Sequence, residues 1–358
     1  MGSAADSTCG PVCATLAGRY SSGTPGRSQG ADRATTPAAV VADCVVPQQV
    51  AAATAPPLRG ADGGGLMAKV AFIGLGVMGF PMAGHLVGAG HQVCVYNRSQ
   101  PKARAWQQQH QGEIAATPAE AARGADLVMV CVGNDDDVRA VVLGPTGALA
   151  GMPPGAVLVD HTTASAELAK DLEHAADAAS VGFVDAPVSG GQAGAENGVL
   201  TVMCGGRESD FAQAQPVIAA YARTIARLGP AGSGQLAKMV NQICIAGVLQ
   251  GLSEGIHFAQ QAGLDVAELT RVISQGAAGS WQMNNRALTM AEGRFDFGFA
   301  VDWMRKDLGI CLRTGDRLRA RMPLTALVDQ FYGEVQDAGG NRWDTSSLIT
   351  RLGRKGPV

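Results

Sequence analysis

Three groups of residues in this chain have the types and spacing to do chemistry. The first is Gly74-Leu75-Gly76-Val77-Met78-Gly79, which fits the pattern G-x-G-x-x-G. Between a strand and a helix, the first glycine of such a turn allows the tight bend. The second lets the backbone approach a pyrophosphate, and the third lets the helix pack closely on the strand. The free N–H groups and positive dipole of the helix N-terminus then face the phosphates. The second group is Ser189-Gly190-Gly191. Two glycines after a serine let backbone N–H groups and a hydroxyl converge on one small anion, such as a carboxylate; as structure alone, the same residues make a turn. The third is Lys238, set in the apolar opening turns of a helical stretch with Asn241 and Gln242 following on the same face. Spacing leaves two readings for that lysine: a stem lying along apolar surface with its ammonium in water, or a working group.

The elements around these residues follow from hydrophobic period. Val70 to Ile73 reads as a buried strand running into the glycine-rich turn, followed by a helix-length segment ending near Gly88–Gly90 and a second strand, Val93 to Tyr96. Where an acid would accept hydrogen bonds from the ribose 2′-OH of NAD stand Asn97 and Arg98. An acid would repel a 2′-phosphate and an arginine can pair with it, so the pair points to NADP, with NAD as the second choice. Further on, Pro101 to Gln111 and Pro118 to Arg123 read as helices, and Glu113 to Ala115 as a short strand. Asp126 to Val132 and Ala156 to Asp160 read as fully buried strands, a parallel-sheet signature. Val132, and Thr163 in the segment His161-Thr162-Thr163, fall at the carboxyl edge of that sheet, where a nicotinamide binds. His161 is expected to be an ordinary loop residue, because the lysine downstream is the better proton donor. The consecutive acids Asp135, Asp136 and Asp137 diverge on any backbone, so they are expected to head a helix through Leu143 and not to hold a metal.

Phe183 to Gly191 reads as a strand ending in the Ser-Gly-Gly turn, Leu200 to Gly206 as another strand, and Glu208 to Tyr221 as a helix. Gly229 to Gly234 interrupts the pattern. From Gln235 to about Gln261 an apolar stripe follows helical spacing, and everything beyond reads as helix. The expected architecture is α/β: a Rossmann-type doubly wound parallel sheet over residues 67–229, then an all-α domain over 230–358. Residues 1–66 are rich in Ala, Gly, Pro, Ser and Thr and sustain no period, so they are expected to be a disordered extension, with Met67 directly before the first strand. That segment lacks the charged start and apolar run of a secretory signal, and Asp6 stands where myristoylation needs Ser or Thr; its few acids with Arg19, Arg27, Arg33 and Arg59 leave an organelle-transit reading open, without a visible amphipathic Arg-rich helix.

Bulk properties exclude several classes. With 46% hydrophobic residues and a formal charge of −3, the chain is not basic enough to bind nucleic acid, and no apolar run is long enough to span a membrane. Cys94, Cys131, Cys204, Cys244 and Cys311 lie singly in apolar segments without paired or metal-ligand spacing. They read as buried thiols of a cytoplasmic protein.

Four separated motifs agree on one family. GLGVMGFPMA at Gly74–Ala83, DAPVSGG at Asp185–Gly191, GSGQLAKMVNQ at Gly232–Gln242 and DWMRKDL at Asp302–Leu308 together resemble the β-hydroxyacid dehydrogenases, from Met67 to about Gly353. That family includes 3-hydroxyisobutyrate dehydrogenase, 2-hydroxy-3-oxopropionate reductase and the glyoxylate and succinic semialdehyde reductases, and it is related to 6-phosphogluconate dehydrogenase. The resemblance implies that Lys238 is the catalytic lysine and that Thr163 contacts the nicotinamide side of the cofactor. It further implies that Ser189, Gly190 and Gly191 bind the substrate carboxylate with Asn241 and Gln242 beside them, that Lys306 closes over the cofactor, and that Asp307 orients Lys306. The implied substrate is a small carboxylate-bearing aldehyde or its hydroxy acid, and the implied assembly is a homodimer or homotetramer. Two rival readings, an imine reductase and a non-catalytic dinucleotide-fold scaffold, do not account for a carboxylate turn facing a lysine.

Overall fold

Lys69–Ile73 (β1) is buried on both faces: Val70 and Phe72 pack into one apolar cluster, Ala71 and Ile73 into another on the opposite side. A strand without a polar face must be covered by helices on both sides. The computed structural model describes residues 67–353 and shows that arrangement. After β1 come Gly79–Gly88 (α1), Gln92–Tyr96 (β2), Gln100–Gln109 (α2), Glu113–Ile114 (β3), Pro118–Ala122 (α3), Leu127–Val130 (β4) and Asp135–Leu143 (α4). Then follow Val157–Asp160 (β5), Ala166–Ala178 (α5), Gly182–Asp185 (β6), Val188–Ser189 (β7), Gly191–Glu196 (α6), Leu200–Gly206 (β8), Glu208–Ile218 (α7) and Ala222–Gly229 (β9). The reading of residues 1–66 as a disordered extension lies outside the described residues.

The sheet runs β3-β2-β1-β4-β5-β6-β8-β7, with β9 added to β8. From β3 to β6 every pairing is parallel, so the carboxyl ends of β1, β2, β4, β5 and β6 share one edge. The expected parallel sheet is present, and at its far side β8 is added antiparallel to β6 and to β7. The cause is the connection. The six-residue α6 spans only about 9 Å, too short to carry the chain back along a strand, so β8 starts from the carboxyl edge. β9 lies where the sequence reading had only a helix ending at Tyr221 and a break at Gly229. It pairs parallel to β8 through two register irregularities, and its largely exposed, Arg-bearing pattern shows no strand period. The acids Asp135, Asp136 and Asp137 do open a helix, capped by the Asn134 side chain accepting from the Asp137 N–H.

Beyond Gly229 the chain is helical: Ser233–Gln261 (α8), Val266–Ile273 (α9), Trp281–Ala291 (α10), Val301–Leu318 (α11) and Pro323–Asp337 (α12), closed by a 3-10 turn at Thr345–Arg351. The 29 residues of α8 extend about 44 Å. Ala246 and Leu249 of α8 pack against Met304 and Leu308 of α11 and Val328 and Tyr332 of α12. No helix among the described residues is long and apolar enough to cross a membrane. One expectation about the thiols fails: Cys204 and Cys311 are buried and Cys94 and Cys131 partly so, but Cys244 is exposed on α8.

The junction between β1 and α1 leaves no room at Gly79, where a Cβ would lie 2.0 Å from the Gly74 carbonyl oxygen and 2.9 Å from the Phe72 ring. Gly79→Ala is expected to cost about 1–3 kcal/mol of stability by overpacking. Urea denaturation measures it, and an unchanged midpoint would contradict the close approach of strand and helix.

Candidate active site

The shared carboxyl edge gathers the glycine-rich turn, Asn97, Val132 and Thr163 after β1, β2, β4 and β5, and the chain leaving β6 continues through β7 to the Ser189 turn. Gly74 adopts φ +102°, and a Cβ there would meet the Cys131 carbonyl oxygen at 2.2 Å and Val132 at 3.0 Å, so only glycine makes the bend. Gly76 has nothing within 4 Å of its Cβ position. Among the described residues the N–H groups of Gly76, Val77 and Met78 donate to no protein acceptor, and α1 opens without a side-chain cap. Open space above glycine, unsatisfied donors and a helix N-terminus fit the pyrophosphate of a dinucleotide.

Asn97 is occupied in holding this turn: its Oδ1 accepts from the Leu75 N–H at 2.9 Å and its Nδ2 donates to the Ser99 carbonyl at 3.0 Å. Arg98 is 88% exposed and lies 3.3 Å from Asp137, an exposed pair of small energetic weight.

The loop after β5 is pinned along its length. Thr162 Oγ1 accepts from the Val132 N–H, and the Thr162 N–H donates to Asp160. Ser165 donates to Asp135 through both its N–H and its hydroxyl. Gln235, in the first turn of α8, takes the Ala164 N–H at 3.0 Å and donates to the Thr162 carbonyl at 2.7 Å. Asp185, at the end of β6, accepts from the Gly232 and Gln235 N–H groups, each at 2.8 Å. It thus supplies the cap that Gly232, at φ +91°, has no side chain to provide. Burial pushes Asp185 up to about 6 despite those donors. Asp185 and Gln235 together fix the opening of α8 against two strand ends. Sequence reading passed over both. The signal available was an acid and an amide within the two motifs that bracket the crossing, at Asp185 and Gln235.

One turn further along α8, Lys238 is 7% exposed, and among the described residues its Nζ makes no hydrogen bond. Burial brings its pKa down to about 8. The charge of Asp307 opposes that shift and the charge of Lys306 adds to it. At 7% exposure the side chain is largely withdrawn from solvent, which weighs against a snorkelling lysine with its head in bulk water. On the same face, Ser189 donates to Asn241 Oδ1 at 3.3 Å, Asn241 Nδ2 to Gln242 Oε1 at 2.8 Å, and Gln242 Nε2 to Asp307 Oδ2 at 2.6 Å. Lys306 Nζ lies 3.1 Å from Asp307 Oδ1 and donates to the Thr163 carbonyl at 2.5 Å. Six residues singled out from sequence thus form one continuous polar chain, from the Ser189 turn to the Thr163 loop. Gln242 is fully buried within it, its amide engaged at both ends. Gly190 and Gly191 follow Ser189 at φ +134° and +62°, conformations that favour glycine.

His161 departs from expectation. It is 2% exposed, with Nδ1 2.7 Å from the Ala186 carbonyl and Nε2 2.8 Å from the Tyr221 hydroxyl. The carbonyl can only accept, so Nδ1 carries the proton and Nε2 accepts from Tyr221. Burial lowers its pKa to about 4. It is a neutral, buried histidine of the loop after β5; the loop position is as expected and the burial is not.

Comparisons with known proteins agree with this geometry. Residues 69–229 match the family model of the NAD binding domain of 6-phosphogluconate dehydrogenase. Residues 232–352 match that of the NAD-binding domain of NADP-dependent 3-hydroxyisobutyrate dehydrogenase. An uncharacterized oxidoreductase of Shewanella frigidimarina is 63% identical over 80% of this chain and 98% of its own length. The structure of Mycobacterium tuberculosis 3-hydroxyisobutyrate dehydrogenase with L-serine superimposes with a TM-score of 0.73 at 31% identity, over 81% of this chain and 100% of that one. The structure of Psf3 in complex with NADP+ and 2-OPP gives a TM-score of 0.72 at 26% identity, over 79% and 99%. With the glycine turn, the lysine-bearing helix and both family models in register along one chain, the protein belongs to the β-hydroxyacid dehydrogenase family and is an NAD(P)-dependent oxidoreductase of the hydroxyacid dehydrogenase type.

Proposed function

We propose that this chain interconverts a small semialdehyde acid and its 3-hydroxy acid, as 2-hydroxy-3-oxopropionate reductase does, with Lys238 as the proton donor and acceptor. The observation that carries the reading is the buried, hydrogen-bond-free Lys238 ammonium on the same helix face as the chain leading to the Ser189 turn. The acids handled by 3-hydroxyisobutyrate dehydrogenase and by glyoxylate or succinic semialdehyde reductases are the alternative substrates. L-serine, present in the mycobacterial relative's structure, is itself a small 3-hydroxy acid.

A bound nicotinamide dinucleotide supplies or removes hydride. The Gly74–Gly79 turn, Leu75, Val77 and Met78 included, would hold its pyrophosphate. Val132 and Thr163 would flank its nicotinamide end, and Lys306 would close over it. In the reducing direction Lys238 gives its proton to the oxygen that becomes an alkoxide, a transfer suited to a group poised near 8. The Ser189-Gly190-Gly191 turn holds the carboxylate, with Asn241 beside it, so the carbonyl is fixed before reaction and positioning supplies part of the rate. An imine has no carboxylate for such a turn to hold, and a scaffold has no use for an ammonium kept out of water.

NADP is the preferred cofactor in this reading, because Arg98 is exposed and only loosely paired, so it is available to a 2′-phosphate. The NADP+ complex of Psf3 supports the same choice. Cofactor-contact roles for Asn97 and Arg98 then differ in kind: Asn97 shapes the turn and Arg98 meets the phosphate. A homodimer or homotetramer is expected, since α9 buries no residue within the chain and Val272 is 56% exposed, with Phe258 of α8 at 71% and Trp281 of α10 at 51%. The unpaired thiols are in keeping with a cytoplasmic protein.

Lys238→Met is expected to abolish turnover while keeping NADPH affinity. It should also raise stability near neutral pH by on the order of 3 kcal/mol, because it removes a buried charge whose pKa is lowered from 10.5 to about 8. Near-normal turnover by steady-state assay would remove Lys238 from the acid role. For the wild type, reduction requires protonated Lys238, so kcat/KM should fall as pH rises through about 8, whereas oxidation of the hydroxy acid should rise through the same region. The sign for stability is separate. The folded pKa lies below the ordinary 10.5, so the unfolded chain binds more protons between about 8 and 10.5 and Lys238 adds stability as pH rises there. Arg98→Leu should weaken NADPH at least about tenfold and leave NADH unchanged, one charge-assisted contact being worth that much; equal losses for both would refute the 2′-phosphate role.

A further inference from the structure

We propose that Gln242 is a positioning residue. Both ends of its amide are engaged within the protein, and it sets the direction of every hydrogen bond between the Asp307–Lys306 pair and the Ser189 turn. The inference rests on the functional reading of this site. Gln242 is fully buried, whereas its neighbours Asn241 and Ser189 are not. An amide is ambiguous by itself, since either end can face either partner. The ambiguity is removed by Asp307: a carboxylate 3.1 Å from the Lys306 ammonium has only acceptors to offer. The group 2.6 Å from its other oxygen must be a donor, which places Gln242 Nε2 there and Oε1 toward Asn241. Because Oε1 can only accept, the Asn241 group at 2.8 Å is its Nδ2, and its Oδ1 faces Ser189. The Ser189 proton then goes to Asn241, which leaves the backbone N–H groups of the turn, and not the hydroxyl, to donate to a carboxylate. One charge thus fixes three side chains in sequence, and Gln242 links the carboxylate to the less buried pair.

The same atoms explain why an ionised acid would not serve at this position. A glutamate in place of Gln242 could accept from Asn241 but could not donate to Asp307 unless protonated, and two carboxylates at this distance repel. Protonated, it reproduces the glutamine, its hydroxyl donating to Asp307 and its carbonyl accepting from Asn241. Gln242→Glu is therefore a pH-conditional copy of the native residue, a behaviour that a merely space-filling side chain would not show.

The test uses full-length protein with NADPH and the semialdehyde acid that the wild type turns over fastest. For Gln242→Glu, KM divided by the wild-type KM at the same pH should rise about tenfold between pH 6 and pH 8.5, the loss of one buried hydrogen bond with its polarity. The NADPH Kd, read by fluorescence, should stay within about twofold. Gln242→Met, close in shape and unable to hydrogen-bond, should raise KM by about tenfold at every pH. A flat ratio for Gln242→Glu, or a wild-type KM in Gln242→Met, would overturn the proposal. A second reading needs no substrate. In Gln242→Glu the introduced carboxyl is pushed up by burial and by Asp307, so its stabilising contribution is present at low pH and lost as pH rises through its folded pKa. The Tm of Gln242→Glu should therefore fall relative to wild type between pH 6 and pH 8.5, and a constant difference contradicts the contact. Wild-type inactivity toward every semialdehyde acid defeats the functional reading alone, and the Tm comparison still decides the role of Gln242.

Discussion

A buried ammonium without a hydrogen bond is the constraint around which this molecule is arranged. Lys238 stands 7% exposed, one turn into α8, where desolvation opposes its charge. A side chain in that state relaxes toward solvent unless its backbone cannot move. The backbone here is held from two sides. Asp185 caps the opening of α8 from the end of β6, and Gln235 ties the same turn to the loop after β5. Gly205 and Gly234 show how closely the cap is packed: a Cβ at either would come within 3 Å of the Asp185 carboxylate. The sheet thus dictates where the ammonium sits, and the energy stored in its desolvation appears as a proton affinity suited to exchange near neutral pH.

The second consequence is the bridging of the edge by polar chains in place of apolar packing. Lys306 reaches from α11 to the Thr163 carbonyl, while Asn241 reaches from α8 to Ser189. Between them Gln242 and Asp307 leave no break. The chain joins four parts of the fold: the Ser189 turn, α8, α11 and the Thr163 loop. The glycine-rich turn stands apart from this chain, organised by Asn97 and by the steric demands of Gly74 and Gly79.

Much of this arrangement is legible in sequence, for reasons that are themselves physical. The β1–turn–α1 unit announces itself because a doubly buried strand, three glycines with separate duties and an amphipathic helix fall in succession. Lys238 stands out because a charged residue in an apolar stripe is costly. The illegible parts share a different property. β9 is an edge strand with an exposed, irregular pattern, β7 has two residues, and α6 is a single short turn of helix, so none has room to display a period. The burial of His161 depends on Tyr221, far off in sequence, whose hydroxyl meets its Nε2. Nor does spacing along α8 distinguish Asn241 from Gln242, which face one way on the helix. What separates them is Asp307 on α11, visible only once the two helices are packed.

The most direct measurement is the titration of the Lys238 side chain itself, followed by NMR through its Cε and Nζ resonances in selectively labelled protein. If burial on the clamped helix governs the site, Lys238 titrates near 8, about two units below the exposed lysines. A midpoint near 10.5 would show an ammonium in free contact with water, and would contradict a lysine held desolvated by the clamped opening of α8.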